Sequence, residues 1–369
     1  MLLFGCACHP GLSRRGVLSA TFAAGAVGAL PRPSVAQAPG GAARAIDIHA
    51  HYFPQAYLDV VGGAAGRAQG SEYRRAPEGW YISAPGNPAT APLPTKFIDL
   101  GERLADMDAQ GVAVHALSLT SPMVYWADGA LGETLSRAFN DACVDAHRQK
   151  PDRFVGLAML PMQDTERSLR ELERVKGLPG IRGVYCGTNV NGMDLSAPQL
   201  LPVWKAVEAA GLPVFLHPLN TVGGPRMRYY MNNFIGNPVD SAIAAGHLIF
   251  GGVLDACPRL EVSLPHAGGV LPILIGRFDH GAPRRPETKH LGRAPSEYLR
   301  RFTYDTIAHS PEVMKFVIGL VGADRVVLGS DYCYDMGYEQ PVGFVDKLGL
   351  NAEERAMVLG GTAARLLKL

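Results

Sequence analysis

Eight times along this chain a short apolar run gives way to a longer stretch with apolar residues at helical spacing. The runs fall near 46–51, 112–119, 154–160, 181–185, 213–217, 260–264, 302–305 and 325–329. The helical stretches cover 97–108, 130–149, 164–176, 198–210, 237–250, 268–280 and 311–321, with Gly111 and Gly211 as stops. Further helices near 341–348, 352–358 and 361–368 close the chain. Runs this short and this apolar read as strands buried on both faces, the condition of a parallel sheet covered by its own crossover helices. Over roughly 320 residues, eight such strands predict an α/β fold closed as a (β/α)8 TIM barrel, with extra C-terminal helices. An open doubly wound sheet is the alternative. It usually carries a glycine-rich phosphate turn after its first strand, and none is present here.

In a barrel of this kind the functional residues stand at the C-terminal ends of the strands. Those ends carry His49 and His51, then His217, then His266, then Asp331. Side chains alternate along a strand, so His49 and His51 share a face and offer two legs of a metal site. Neutral imidazole suits zinc and other borderline divalent ions. Each residue alone has a plain reading: a hydrogen-bonded core histidine, or an aspartate capping the next turn. Their convergence on one barrel mouth is what predicts a metal site. His115 lies inside the second strand and reads as core, or as support behind the ligands. His147, His247, His290 and His309 read as facing solvent or packing, and His280 is open either way.

Two segments stand outside the alternation. Residues 52–95 are rich in Gly, Pro, Ala and Arg with little periodicity. An excursion of this length usually has a function or forms a small subdomain. Leaving from the His51 end of the first strand, it is expected to lie over the site as a lid. Residues 1–38 read as a targeting segment. Ser13-Arg14-Arg15-Gly16-Val17-Leu18 looks like a twin-arginine export signal, followed by a Gly/Ala-rich apolar run and a small-x-small cleavage candidate at Ala36-Gln37-Ala38. That implies the twin-arginine machinery as a partner and a periplasmic or exported location, with residues 39–369 as the barrel. The apolar run is too short and Gly/Ala-rich for a good membrane span. Arg14, Arg15 and Arg32 are three of 35 basic residues, and against 34 acids the rest of the chain is left near −2. A near-neutral body gives no electrostatic case for nucleic acid or a membrane surface. Cys143, Cys186, Cys257 and Cys333 are far apart with no C-x-x-C pair, which excludes a zinc ribbon and a disulfide scaffold.

The order H-x-H, His217-Pro218, His266-Ala267-Gly268-Gly269 and Gly329-Ser330-Asp331-Tyr332 resembles the amidohydrolase-2 branch of the metal-dependent amidohydrolases. Within it the chain is similar to the α-amino-β-carboxymuconate-ε-semialdehyde decarboxylase group. The resemblance runs from about Ile46 to Leu367. It takes in Arg103-Leu104-Ala105-Asp106-Met107-Asp108, Phe154-Val155-Gly156-Leu157, Gly251-Gly252-Val253 and Gly276-Arg277.

The resemblance implies one divalent ion, zinc with manganese as the alternative, on His49, His51, His217 and Asp331, with a water completing the shell. His266 would activate that water, and Asp331 would also give a proton to the carbon that loses carboxylate. Arg277 and Arg285 match positions that bind the substrate carboxylate from a neighbouring subunit, which implies a homodimer. Phe234 and Tyr334 match aromatic pocket positions, with Trp126 near the strand-two loop. The pocket also departs from the group's pattern. The lid arginine has no counterpart near Ile82 or Ser83, although Arg74 and Arg75 are close in sequence, and Leu219 replaces a bulky aromatic. The expected activity is metal-dependent, non-oxidative decarboxylation of an aromatic or unsaturated carboxylic acid, such as a hydroxybenzoate-like acid. Hydrolysis of a lactone, an ester or a C–C bond by the same ligand set is the alternative. An exported metal-loaded binding protein is a third reading, which the presence of both His266 and Asp331 disfavours.

Overall fold

Each of the eight predicted strands forms, and they pair in one parallel sheet. The structure, a computed structural model, describes residues 44–87, 89–219, 223 and 226–369. The segment 1–38, read above as an export signal, lies outside the described residues. The strands are β1 (Ile46–His51), β2 (Val114–Ser118), β3 (Phe154–Met159), β4 (Ile181–Gly187), β5 (Val214–His217), β6 (Val262–Leu264), β7 (Phe302–Asp305) and β8 (Val326–Val327). They are hydrogen-bonded in chain order, every pair parallel. Closure comes from Ile48 N–H donating to the Leu328 carbonyl at 3.0 Å and His51 N–H donating to the Tyr332 carbonyl at 2.7 Å. The sheet is therefore the predicted barrel.

Its outer layer holds α1 (Leu100–Gln110), α2 (Gly129–Gln149), α3 (Thr165–Val175), α4 (Leu201–Ala210), α5 (Asn237–Phe250), α6 (Leu271–Gly281) and α7 (Pro311–Val321). Several of their starts are written in the sequence. Asp99, Asp128, Asp164 and Ser310 each accept a hydrogen bond from a first-turn backbone N–H, satisfying donors that the helix cannot. Gly111 ends α1 at φ 71°, a left-handed conformation that glycine adopts without strain. The strands are buried along nearly their whole length, which explains why they read as continuous apolar runs rather than alternating ones.

The excursion at 52–95 folds as a small structured insertion, one of the two outcomes expected for a segment of this length. It forms helices Gln55–Val61 and Ala64–Ala68, then an antiparallel hairpin of Glu72–Ala76 and Gly79–Ser83. The cause is an aromatic cluster continuous with the barrel core. Trp80 sits edge-on to Phe53 and Phe97, with ring centroids 5.2 and 6.0 Å away, and Phe97 meets Tyr334 at 4.9 Å. Trp80 and Ile82 alternate with more exposed neighbours on the second hairpin strand, a period-two pattern too short to stand out among glycines and prolines. Arg74 lies over the Tyr81 ring at 3.6 Å, and Arg75 bonds Tyr73 and Gln55, so both guanidinium groups are engaged within the insertion.

Candidate metal centre

The barrel end brings the predicted histidines together. His49 and His51 project from β1 on one face with their Nε2 atoms 3.1 Å apart. His217 ends β5, and ligand atoms of all three histidines lie within 4.8 Å of one another. Asp331 follows β8 at φ 61° and sets Oδ1 3.1 Å from His51 Nε2 and 3.5 Å from His49 Nε2.

The outward nitrogens are already engaged. His49 Nδ1 lies 2.8 Å from Asp305 Oδ2, His51 Nδ1 lies 3.2 Å from Ser118 Oγ, and His217 Nδ1 lies 2.9 Å from the Pro218 carbonyl. A carboxylate and a carbonyl can only accept, so His49 and His217 carry their proton on Nδ1 and present a lone pair at Nε2. Lone pairs and a carboxylate crowded into one buried space repel unless a cation sits among them. Three imidazoles and one carboxylate, with outward partners fixing the rings, are a donor set that fits a divalent ion.

Asp305 ties this centre together. Its other oxygen accepts from the Ala267 N–H at 2.9 Å and the Ile307 N–H at 3.1 Å. His266, next to Ala267, has φ 54°, and its ring is 5.5 Å from that of His49. His266 Nδ1 is buried without a hydrogen-bond partner. Behind the strand end, Asp47 accepts from the His49 N–H at 2.9 Å and the Ser330 N–H at 3.1 Å, while the Ser330 hydroxyl also donates to it. Arg103 is fully buried, donates to the His51 carbonyl and lies 4.6 Å over the Tyr332 ring. His115 is a buried core residue, 3.6 Å from Asp47.

Burial sets much of the electrostatics. It pushes His51 down to about 4 against the pull of Asp331, and holds His217 well below its ordinary value and His266 lower too. His49 is also opposed by burial, but its bond to Asp305 and the charges of Asp331, Asp305 and Asp47 raise it. Burial pushes Asp331 and Asp305 up; the histidines around them outweigh it and hold both below the usual carboxylate range.

A cavity of about 350 Å³ opens beside the centre, with His266 and Asp331 in its wall. Phe234 lines it, about half exposed. Tyr334 instead packs its ring 5.4 Å from His51, on the side facing the insertion. Trp126 donates Nε1–H to the Met123 carbonyl at 3.2 Å and is not among the cavity residues. Arg277 and Arg285 are exposed, Arg285 pairs with Glu287 at 3.0 Å, and neither reaches the cavity of its own chain. Among the described residues the insertion contributes nothing to this cavity. His309 does line it, as do Asn233 and Asn237, none of which the strand-end rule selects. Asp305 was also missed, although it ends β7 and the same rule points to it.

Comparison with known proteins agrees with this architecture. The amidohydrolase family profile matches residues 46–369. The chain is 35% identical over 272 residues to 2-amino-3-carboxymuconate-6-semialdehyde decarboxylase of Dictyostelium discoideum, covering 72% of this chain and 76% of that one. Among solved structures it is similar to 5-carboxyvanillate decarboxylase from Sphingomonas paucimobilis, at a TM-score of 0.75 and 28% identity over 89% of this chain and 100% of the other. It is also similar to the 5-carboxyvanillate decarboxylase of Novosphingobium aromaticivorans, complexed with manganese and 4-hydroxy-3-methoxy-5-nitrobenzoic acid, at 0.74 and 25% over 88% and 96%.

Proposed function

The chain belongs to the amidohydrolase family, and from that premise we propose that it is a metal-dependent, non-oxidative decarboxylase of an aromatic or unsaturated carboxylic acid. The observation that carries the reading is the convergence of His49, His51, His217 and Asp331 beside a cavity that also holds His266. The named relatives, all decarboxylases, support it.

Decarboxylation breaks a C–C bond and leaves its electron pair on carbon. A divalent ion held by His49, His51, His217 and Asp331 would supply positive charge where those electrons collect. The residues of the chain manage the proton. Burial lowers His266 below its ordinary value, so it can take a proton from solvent water and pass it on. Asp331, held as a carboxylate, must gain a proton before it can give one, and His266 is the neighbour from which it draws it. The carbon then takes that proton, the C–H bond forms and CO₂ leaves. Three imidazoles favour zinc, while a relative holds manganese.

The same reading includes a homodimer, in which Arg277 and Arg285 of a second copy supply guanidinium groups for the substrate carboxylate. It also keeps residues 1–38 as a twin-arginine export signal, which cellular fractionation with Arg14 and Arg15 replaced by Lys would check.

The test is metal quantification on the purified protein, with CO₂ release measured from a panel of aromatic acids. We expect one divalent ion per chain, CO₂ release, and its loss in His266→Ala and Asp331→Ala. Bound metal with acid released only from lactones or esters would move the protein to the hydrolases. Failure to bind a divalent ion after reconstitution would overturn the metal centre itself.

A further inference from the structure

Among its described residues the insertion at 52–95 has none in the cavity wall, yet both of its ends are fastened beside His51. It leaves the barrel at Tyr52, the next residue along the chain. Phe53 N–H donates to the Phe97 carbonyl at 2.9 Å, which closes the insertion at its root. The buried Arg103 guanidinium donates both to the His51 carbonyl and, at 3.3 Å, to the Lys96 carbonyl. One cation therefore ties the two ends of the insertion to each other and to the strand end.

Side chains continue the connection. Trp80 of the hairpin meets Phe97 at 6.0 Å, Phe97 meets Tyr334 at 4.9 Å, and Tyr334 meets the His51 ring at 5.4 Å, each pair edge-on. Trp80 and Phe97 are buried, and Trp80 Nε1–H is held by the Pro94 carbonyl at 2.9 Å. In a close-packed row of rings none can move far without displacing its neighbour.

His51 is the histidine of the centre that most needs such support. A carboxylate holds His49 Nδ1 and a backbone carbonyl holds His217 Nδ1, but the partner of His51 Nδ1 is the Ser118 hydroxyl at 3.2 Å, which rotates and can donate or accept. Its nearest other ring neighbours are His49 and His217, at 4.8 and 4.9 Å, which are ligands themselves. We propose that the insertion is a brace for the metal centre rather than a lid, and that Phe97 and Tyr334 are positioning residues that hold the His51 ring where a divalent ion requires it. The inference rests on the metal centre of the proposed function.

The experiment measures zinc and manganese affinity by chelator competition, with the thermal midpoint of the metal-free protein recorded for every variant. Phe97→Leu removes the flat ring at the root of the insertion, and we expect metal affinity to fall about tenfold. Phe154→Leu removes an equally buried ring from the first position of β3, a strand with no residue in the centre. Its midpoint should fall similarly while its metal affinity stays at the wild-type level. Tyr334→Leu should lose affinity as Phe97→Leu does, and Tyr334→Phe, which keeps the ring, should retain it. If Phe97→Leu does not fold, Phe97→Met, which keeps most of the volume without the ring, makes the same comparison. Equal affinity in Phe97→Leu and Phe154→Leu, or a loss in Tyr334→Phe as large as in Tyr334→Leu, would overturn the inference while the metal centre stands. If the wild type binds neither ion, the metal reading fails on its own. The brace is then read in the metal-free protein, from carbethoxylation of buried His51 by diethyl pyrocarbonate relative to exposed His280. Faster labelling of His51 in Phe97→Leu than in wild type supports the brace, and an unchanged ratio overturns it.

Discussion

Asp305 accepts from His49 Nδ1 through one oxygen and from two backbone N–H groups through the other. Asparagine in its place has the same shape and can keep its oxygen toward the backbone. Its NH₂ then faces His49 Nδ1, which must become the acceptor, and the proton moves to Nε2, where a metal would bind. We therefore expect Asp305→Asn to lower metal affinity about 10- to 100-fold, measured by chelator competition. The thermal midpoint of the metal-free protein should fall less than in Asp305→Ala, which also strips the acceptor from the Ala267 and Ile307 N–H groups. Equal metal affinity in Asp305→Asn and wild type would mean that the tautomer is fixed by something else. The contrast with His49 shows what was legible at this scale. Two histidines two apart are a weak signal alone, and they became legible because His217, His266 and Asp331 stand at other strand ends. One aspartate at the end of Phe302–Asp305 did not, because strand ends carry aspartates for many reasons.

The close approach between α5 and the turn after β6 belongs to the scale of elements. Gly269→Ala would place a Cβ 2.0 Å from the Pro238 carbonyl and force alanine to φ 60°, so the turn must shift. Strain of this kind costs about 1–3 kcal/mol. We expect a lowered unfolding midpoint and a larger fall in kcat/KM than the stability loss alone explains, since the same turn carries His266. Gly292→Ala, where a Cβ would meet nothing within 4 Å, is the control and should match wild type in both. Barrel strands and crossover helices were legible because burial on both faces and the 3.6-residue period leave strong patterns, and because aspartate, serine and glycine mark the helix ends. The insertion was not. Its aromatic cluster rests on the contacts of Phe53, Trp80 and Phe97 across distant positions, and no periodic window of sequence holds all three.

Across the whole barrel, burial also fixes the behaviour of the thiols. Cys186 and Cys333 are pushed from the ordinary value of 9.0 up to about 12, chiefly by burial, and buried Cys143 is raised as well. A thiol whose folded value is raised favours the fold fully below the unfolded value of 9.0, and that contribution is lost as pH climbs toward 12. Each such group withdraws up to about 1.4 kcal/mol per pH unit in that window. We expect the unfolding midpoint to fall above pH 9, and the buried Cys143, Cys186 and Cys257 to react with a thiol reagent at pH 8 far more slowly in the folded protein than in denaturant. Rapid labelling of the native protein at those three positions would contradict the burial.

The proposed dimer makes its own demand on the molecule. Ile273 on α6, Ile243 on α5, and Val313, Phe316 and Leu320 on α7 are apolar yet 40–70% exposed. Ile273, Val313 and Phe316 also line the cavity, so a second copy covering this surface would sit at the cavity mouth. Arg277 shares α6 with Ile273, so a second copy seated on this surface would bring its own Arg277 within reach of the adjacent cavity under twofold symmetry. If the guanidinium serves the opposite site, Arg277→Ala and His266→Ala are each inactive as pure dimers for different reasons. In a mixed dimer one cavity has lost both groups and the other has both intact. Mixing the two variants under conditions that exchange subunits should then restore about a quarter of wild-type activity, since half of the random dimers are mixed and each has one working site. Light scattering reports whether the species is a dimer, and the mixing curve reports where Arg277 acts. If Arg277 serves its own chain, no mixed dimer has both groups at one site, and activity stays at the level of the separate variants.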